Sequence, residues 1–113
     1  MVIHEDGQNK ITTLIATSFD QGQYGTDDTL ESVTDTGLIA PVASSDKPLS
    51  GLVSGNSFQL IHDLEAADAN DVTLQEFTVK IDGDSVNRLT TFPIEKTVRK
   101  EVTTSVNWAI RYN

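Results

Sequence analysis

Two histidines, no cysteine and seventeen carboxylates are the groups with which this chain can do chemistry. His4 sits near the N-terminus. His62 falls in "NSFQLIHDL", on the same alternating face as Phe58, Leu60 and Leu64. An imidazole in that company reads as a half-buried side chain with a satisfied hydrogen bond. Zinc requires closely spaced nitrogen or sulfur ligands, and neither HxH nor HExxH is present. Calcium takes clustered oxygens, which brings in Asp82, Asp84 and Asn87 of "DGDSVN" and the run Glu65, Asp68 and Asp71. The first group reads as a hairpin turn and the second as a solvated turn, because EF-hand spacing is missing. A nucleophilic triad needs Ser or Thr beside a His and an acid. The chain has no nucleophile elbow, phosphate-binding loop or dinucleotide fingerprint on which to build one. Neither catalysis nor a cofactor nor a metal is expected.

Glu76 stands apart. In "VTLQEFTVKI" the apolar face begins with Val72 and Leu74 but continues with Phe77, Val79 and Ile81, one residue out of phase. A slip at Gln75–Glu76 predicts a β-bulge or bend, where a carboxylate is drawn inward. If "DGDS" closes a tight hairpin, Glu76 falls across from Arg88 or its neighbour. An ion pair of structural role between Glu76 and Arg88 is the expectation.

The elements that must position these groups follow from periodicity. Ile11, Leu14, Ile15 and Phe19 are spaced as on one helix face, predicting a short helix over 7–17 capped by Asp6. Residues 20–48 are punctuated by Gly, Asp, Ser, Thr and Pro, and predict a long extended loop pinned at intervals by Leu30, Val33, Leu38, Ile39 and Val42. From residue 49 to 113 the pattern is β. "NSFQLIHDL" and "VTLQEFTVKI" are strands, and 86–91 is a return strand that Pro93 ends or kinks. The clearest strand is the last, where Val102, Thr104, Val106, Trp108, Ile110 and Tyr112 alternate with polar or small residues. The expected fold is mostly β: a single antiparallel β-sandwich domain over 1–113, with a short N-terminal helix and the long loop.

Charge is divided unevenly. Residues 1–87 hold 15 acidic and 3 basic side chains, a balance of −12, while 88–113 hold 2 and 5, a balance of +3. The net −9 argues against duplex nucleic acid and anionic membranes as partners. No apolar run approaches the ~20 residues of a membrane span, and no signal peptide is evident at the start. With 11 Asp to 6 Glu the surface repels itself unless salt screens it, which suits a salt-rich setting. The basic tail is not a nucleic-acid patch: Trp108 faces inward with Val106 and Ile110. Lys96, Arg99 and Lys100 gather at a turn where they meet the acidic surface of the same or a neighbouring subunit.

The order of motifs resembles a family of small virion proteins of tailed viruses of bacteria and archaea, of the tail-fibre-like or head-decoration kind. The matching residues are Asp35, Thr36, Gly37, Leu38, Pro41 and Val42 after a Gly-Thr-rich loop. Leu74, Glu76, Phe77, Gly83, Arg88, Phe92, Ile94 and Lys96 then match a hairpin, and Val102, Val106, Trp108 and Ile110 a terminal strand. The resemblance implies a structural, oligomeric role in the virion, in many copies, and no catalytic residues. A single domain without repeats favours the capsid surface over the tail, whose fibre shafts and tips are longer or repetitive. Its partners would be capsid or tail proteins and further copies of itself. Tyr24, Leu30, Leu38, Ile39, Arg99 and Lys100 are the interface candidates; Glu76, Arg88 and Trp108 are structural. The alternative is a tail, baseplate or fibre-associated adaptor, or a receptor- or glycan-binding module with an exposed aromatic platform.

Overall fold

The computed structural model describes residues 1–96 and 100–112. Helix α1 (Glu5–Ser18) runs directly into strand β1 (Phe19–Gly25). A long connection leads to a single 3-10 turn (Ala43–Ser45) and the short β2 (Lys47–Pro48). Then follow β3 (Ser50–Ser54), β4 (Ser57–Leu64), β5 (Val72–Ile81), β6 (Asp84–Ser85), β7 (Leu89–Lys96) and β8 (Val102–Ala109). The strands form two antiparallel sheets, as the mostly-β reading expects. In the larger, β1 lies between β2 and β5, and the far side of β5 is shared by β6 and β7. In the smaller, β4 lies between β3 and β8.

Period-two alternation places the core. Phe58, Leu60, His62 and Leu64 of β4 are all buried while the residues between them are not. They meet Tyr24 of β1 and Leu74, Phe77 and Val79 of β5 from the opposing sheet. β8 obeys the same alternation, with Trp108 stacked on Phe19 and Phe58 at centroid distances of 5.0 and 5.5 Å. Trp108 is only half-buried, and eight register pairs hold β8 to β4. Trp108→Ala is therefore expected to lower stability by about 3 kcal/mol, the low end for aromatic truncation, without unfolding the chain. A urea melt with a shifted midpoint and unchanged slope would show it; an unfolded variant would mean the strand depends on this one ring.

Three expectations need correction. The stretch 19–25 is a strand in the middle of the larger sheet, not part of a loop. Its glycines, which read as turn punctuation, serve close approach instead: a Cβ at Gly22 would lie 2.8 Å from the His62 ring and 3.0 Å from Phe77. The helix is capped by His4, whose Nδ1 accepts from the Gly7 amide at 3.3 Å, while Asp6 lies in the first turn. Its buried face is Thr12 and Ala16, and Leu14 is 71% exposed. The helix is rotated because Thr12 Oγ1 bonds the Tyr112 hydroxyl at 2.7 Å and Ala16 allows close packing. Lastly, the return strand continues through Pro93 to Lys96. The ladder absorbs the proline by a register shift, Leu74 opposite Ile94 but Glu76 opposite Thr90, so the extra residues lie in β7 beside the expected slip.

Candidate functional site

The 82–85 turn sets the site's geometry. Asp82 and Gly83 both have positive φ (51° and 81°) between the paired Ile81 and Asp84, a two-residue type I′ hairpin. Asn87 then turns its side chain back, its Oδ1 accepting from the Val79 amide at 3.0 Å. The turn thus engages the Asn87 oxygen in the fold, while the Asp82 and Asp84 carboxylates are exposed. Among the described residues no three His, Asp or Glu side chains gather as a metal site.

Beyond that turn, Arg88 enters diagonally to Glu76, whose direct cross-strand partner is Thr90. Arg88 Nε donates to Glu76 Oε1 at 2.7 Å, with both side chains fully buried. The carboxylate has three further donors. The Ile39 amide reaches Oε1 at 2.9 Å, and the Ala40 and Asp27 amides reach Oε2 at 2.8 and 3.2 Å. Glu76 thereby grips both limbs of the long connection, Asp27 on the way out and Ile39 and Ala40 on the way back. Asp27 and Asp35 surround the remaining guanidinium nitrogens at 3.4 and 3.6 Å. Burial alone would raise the Glu76 pKa; the Arg88 bond and the three amides outweigh it and hold the carboxyl below its ordinary value. Arg88 is in turn held more firmly protonated, first by its bond to Glu76.

Gly25 makes this arrangement possible. It pairs directly with Glu76 across β1 and β5, and a Cβ there would overlap the Glu76 carboxylate and approach the Ala40 carbonyl to 2.7 Å. The glutamate side chain crosses β1 through the gap that glycine leaves. On the far side of β1, residues 40–42 run alongside it, Thr26 donating to Ala40 O and Val42 to Tyr24 O at 2.9 Å each.

A second buried group lies between the sheets. His62 Nε2 is 2.8 Å from the Ser45 carbonyl oxygen, which can only accept, so Nε2 carries the proton. Nδ1 is left buried without a hydrogen-bond partner among the described residues. Tyr24 and Phe77 meet the imidazole edge-on at 5.4 and 5.2 Å. Burial lowers the His62 pKa against the weaker opposing effect of its carbonyl neighbours. The unfolded state then binds the proton more readily, so His62's contribution is complete above the unfolded value of about 6.5 and shrinks as pH falls toward the depressed folded value. Urea midpoints should decline between about pH 7 and 5, with a slope of up to about 1.4 kcal/mol per pH unit. His62→Gln should remove that decline; a persisting slope would assign it elsewhere.

The remaining sequence candidates separate cleanly. Tyr24, expected at an interface, is 0% exposed and belongs to the core. Leu38 is half-buried, whereas Leu30 and Ile39 are exposed and joined by Val33. Lys100 is exposed, its Nζ 3.4 Å from the Glu95 carbonyl, and Arg99 lies outside the described residues. Lys96 does not join a basic cluster: it is buried, donating to Ala66 O and Asn70 Oδ1 at 3.1 and 3.0 Å, and so staples the 65–71 turn. Sequence reasoning missed Asp27, Gly25 and this role of Lys96. Only the alignment of Gly25 with Glu76 in a paired register would have exposed the first two. No protein-family model, curated protein or solved structure matches the chain.

Proposed function

We propose that this is a non-enzymatic structural protein of a tailed-virus particle, present in many copies and docked on the capsid surface through the connection between β1 and the 3-10 turn. The observation that carries this reading is an apolar projection held on a fixed base. Glu76 ties down both limbs of the connection, while Leu30, Val33 and Ile39 stand 82%, 104% and 52% exposed. A loop already ordered gives up little entropy on docking. With Asp28 and Glu31 exposed beside the apolar tips, it suits a groove with basic edges on another virion protein. The buried ionisable groups Glu76, Arg88, His62 and Lys96 are each committed to internal partners, which favours a structural role. The acid-rich exterior suits a particle kept in salt, such as that of a haloarchaeal virus. The aromatic-platform alternative is weakened by the stacking of Trp108 on Phe19 and Phe58.

Quantitative mass spectrometry of particles produced by the encoding genome tests this. A copy number comparable to the major capsid protein supports capsid decoration. A number matching tail or baseplate components moves the protein to the tail, and absence from particles overturns the proposal. Leu30→Ser combined with Val33→Ser should abolish incorporation and leave thermal stability unchanged.

A further inference from the structure

We propose that β8 is an open pairing edge to which a second copy of this chain adds its own β8, antiparallel, about a two-fold axis at Val106. The inference rests on this edge alone and is independent of the virion reading.

β8 pairs with β4 on one side, and among the described residues no strand lies on the other. The direction of its free backbone groups is fixed by one bond. Ile110 donates to Asn56 O at 2.7 Å, continuing the register in which Trp108 faces Phe58. In an antiparallel ladder such bonded pairs recur at every second residue, so Val102, Thr104, Val106 and Trp108 point their N–H and C=O groups at β4. Thr103, Ser105, Asn107 and Ala109 point theirs outward.

Exposed edges of this length are normally blunted by charge, proline or a bulge. Among the other edges, β2 and β6 are two residues long and β7 carries Pro93, Glu95 and a broken register, while β3 is uncharged but only five residues long, which leaves β8 as the longest unblunted edge. β8 is eight residues of "VTTSVNWA" with no charge, no proline and an unbroken register. Its inward row is also incompletely covered. Thr104, Val106 and Trp108 are half-buried, whereas the matching row of β4 is buried throughout. A further strand beside β8 would cover that row.

Charge identifies the occupant. The first charged residues beyond the strand are Glu101 on one side and Arg111 on the other, each five positions from Val106, and both are exposed. Antiparallel pairing about Val106 sets Ser105 opposite Asn107 of the second copy, and Glu101 opposite its Arg111. Each seam then closes with two opposite-charge pairs, which favour this alignment. Parallel in-register pairing would set like charges together.

Sedimentation equilibrium across protein concentration and salt tests the proposal, with circular dichroism confirming that each variant is folded. The wild type should dimerise once salt screens the net −9 of each copy. S105K/N107K should leave a folded monomer, because its added charges face each other across the seam. E101K or R111E alone should weaken dimerisation roughly tenfold, and E101K/R111E should restore it. A wild type still monomeric at about 1 mM, a dimer indifferent to S105K/N107K, or a charge swap that fails to restore pairing overturns the proposal.

Discussion

Glu76→Gln lowers the unfolding free energy by about 3–5 kcal/mol, the cost of breaking a buried ion pair by removing one partner. The amide keeps the shape of the side chain but not its charge. Arg88 remains buried without its closest counter-ion, and one position that accepted a hydrogen bond now presents N–H₂ to backbone donors. The melting temperature should fall by roughly 10–20 °C for a chain of this size. Hydrogen exchange separates this from a general loss of stability: the Ile39, Ala40 and Asp27 amides should lose protection before those of β4. Asp27→Asn and Asp35→Asn serve as controls. Their carboxylates are 29% and 21% exposed and sit farther from the guanidinium, so each should cost about 1 kcal/mol or less.

Acidification should close the gap between wild type and Glu76→Gln. A carboxylate whose folded pKa is depressed contributes stability that is complete above its unfolded value, near about 4.3. That contribution is lost as pH falls through the lower folded value. The two urea midpoints should converge in acid and stay apart at neutrality. If Glu76→Gln melts with the wild type at neutral pH, the pair carries no stability and the connection is held by other contacts.

How much of this was legible in the sequence depended on whether neighbours along the chain or across the sheet decided the outcome. β4 and β8 were readable because each has one face on the core, and the alternation records that directly; β5 was readable from its apolar pattern, although Glu76 to Val79 are all buried. The phase slip at Gln75–Glu76 was readable for the same reason, and it led to Arg88. β1 was not. "FDQGQYG" has Gln23 and two glycines where an ordinary strand has branched side chains. Its placement rests on pairing with β2 on one side and β5 on the other, and on small residues where His62 and Glu76 press close. Tyr24 was misplaced with it, as an exposed loop residue. The four-donor environment of Glu76 was equally hidden, because three of the donors are backbone amides, which no side-chain pattern encodes.

Gly25→Ala is expected to be nearly as damaging as Glu76→Gln, although it adds a single methyl group. A Cβ at Gly22 would meet side-chain atoms of His62, Leu49 and Phe77 and no backbone. At Gly25 it would meet the Glu76 carboxylate and the Ala40 backbone oxygen, which are tied to each other. Relief requires expelling Glu76 from the gap, which forfeits the Arg88 bond and both limbs of the connection together. The loss should reach about 3 kcal/mol, the upper range for overpacking. A double-mutant cycle identifies the cause. Once Glu76→Ala has emptied the gap and released Ala40, adding Gly25→Ala should cost little more, giving a coupling of about 2–3 kcal/mol. Simple additivity of the two losses would mean that the glycine is required by the strand itself, and that the path of Glu76 across β1 does not depend on it.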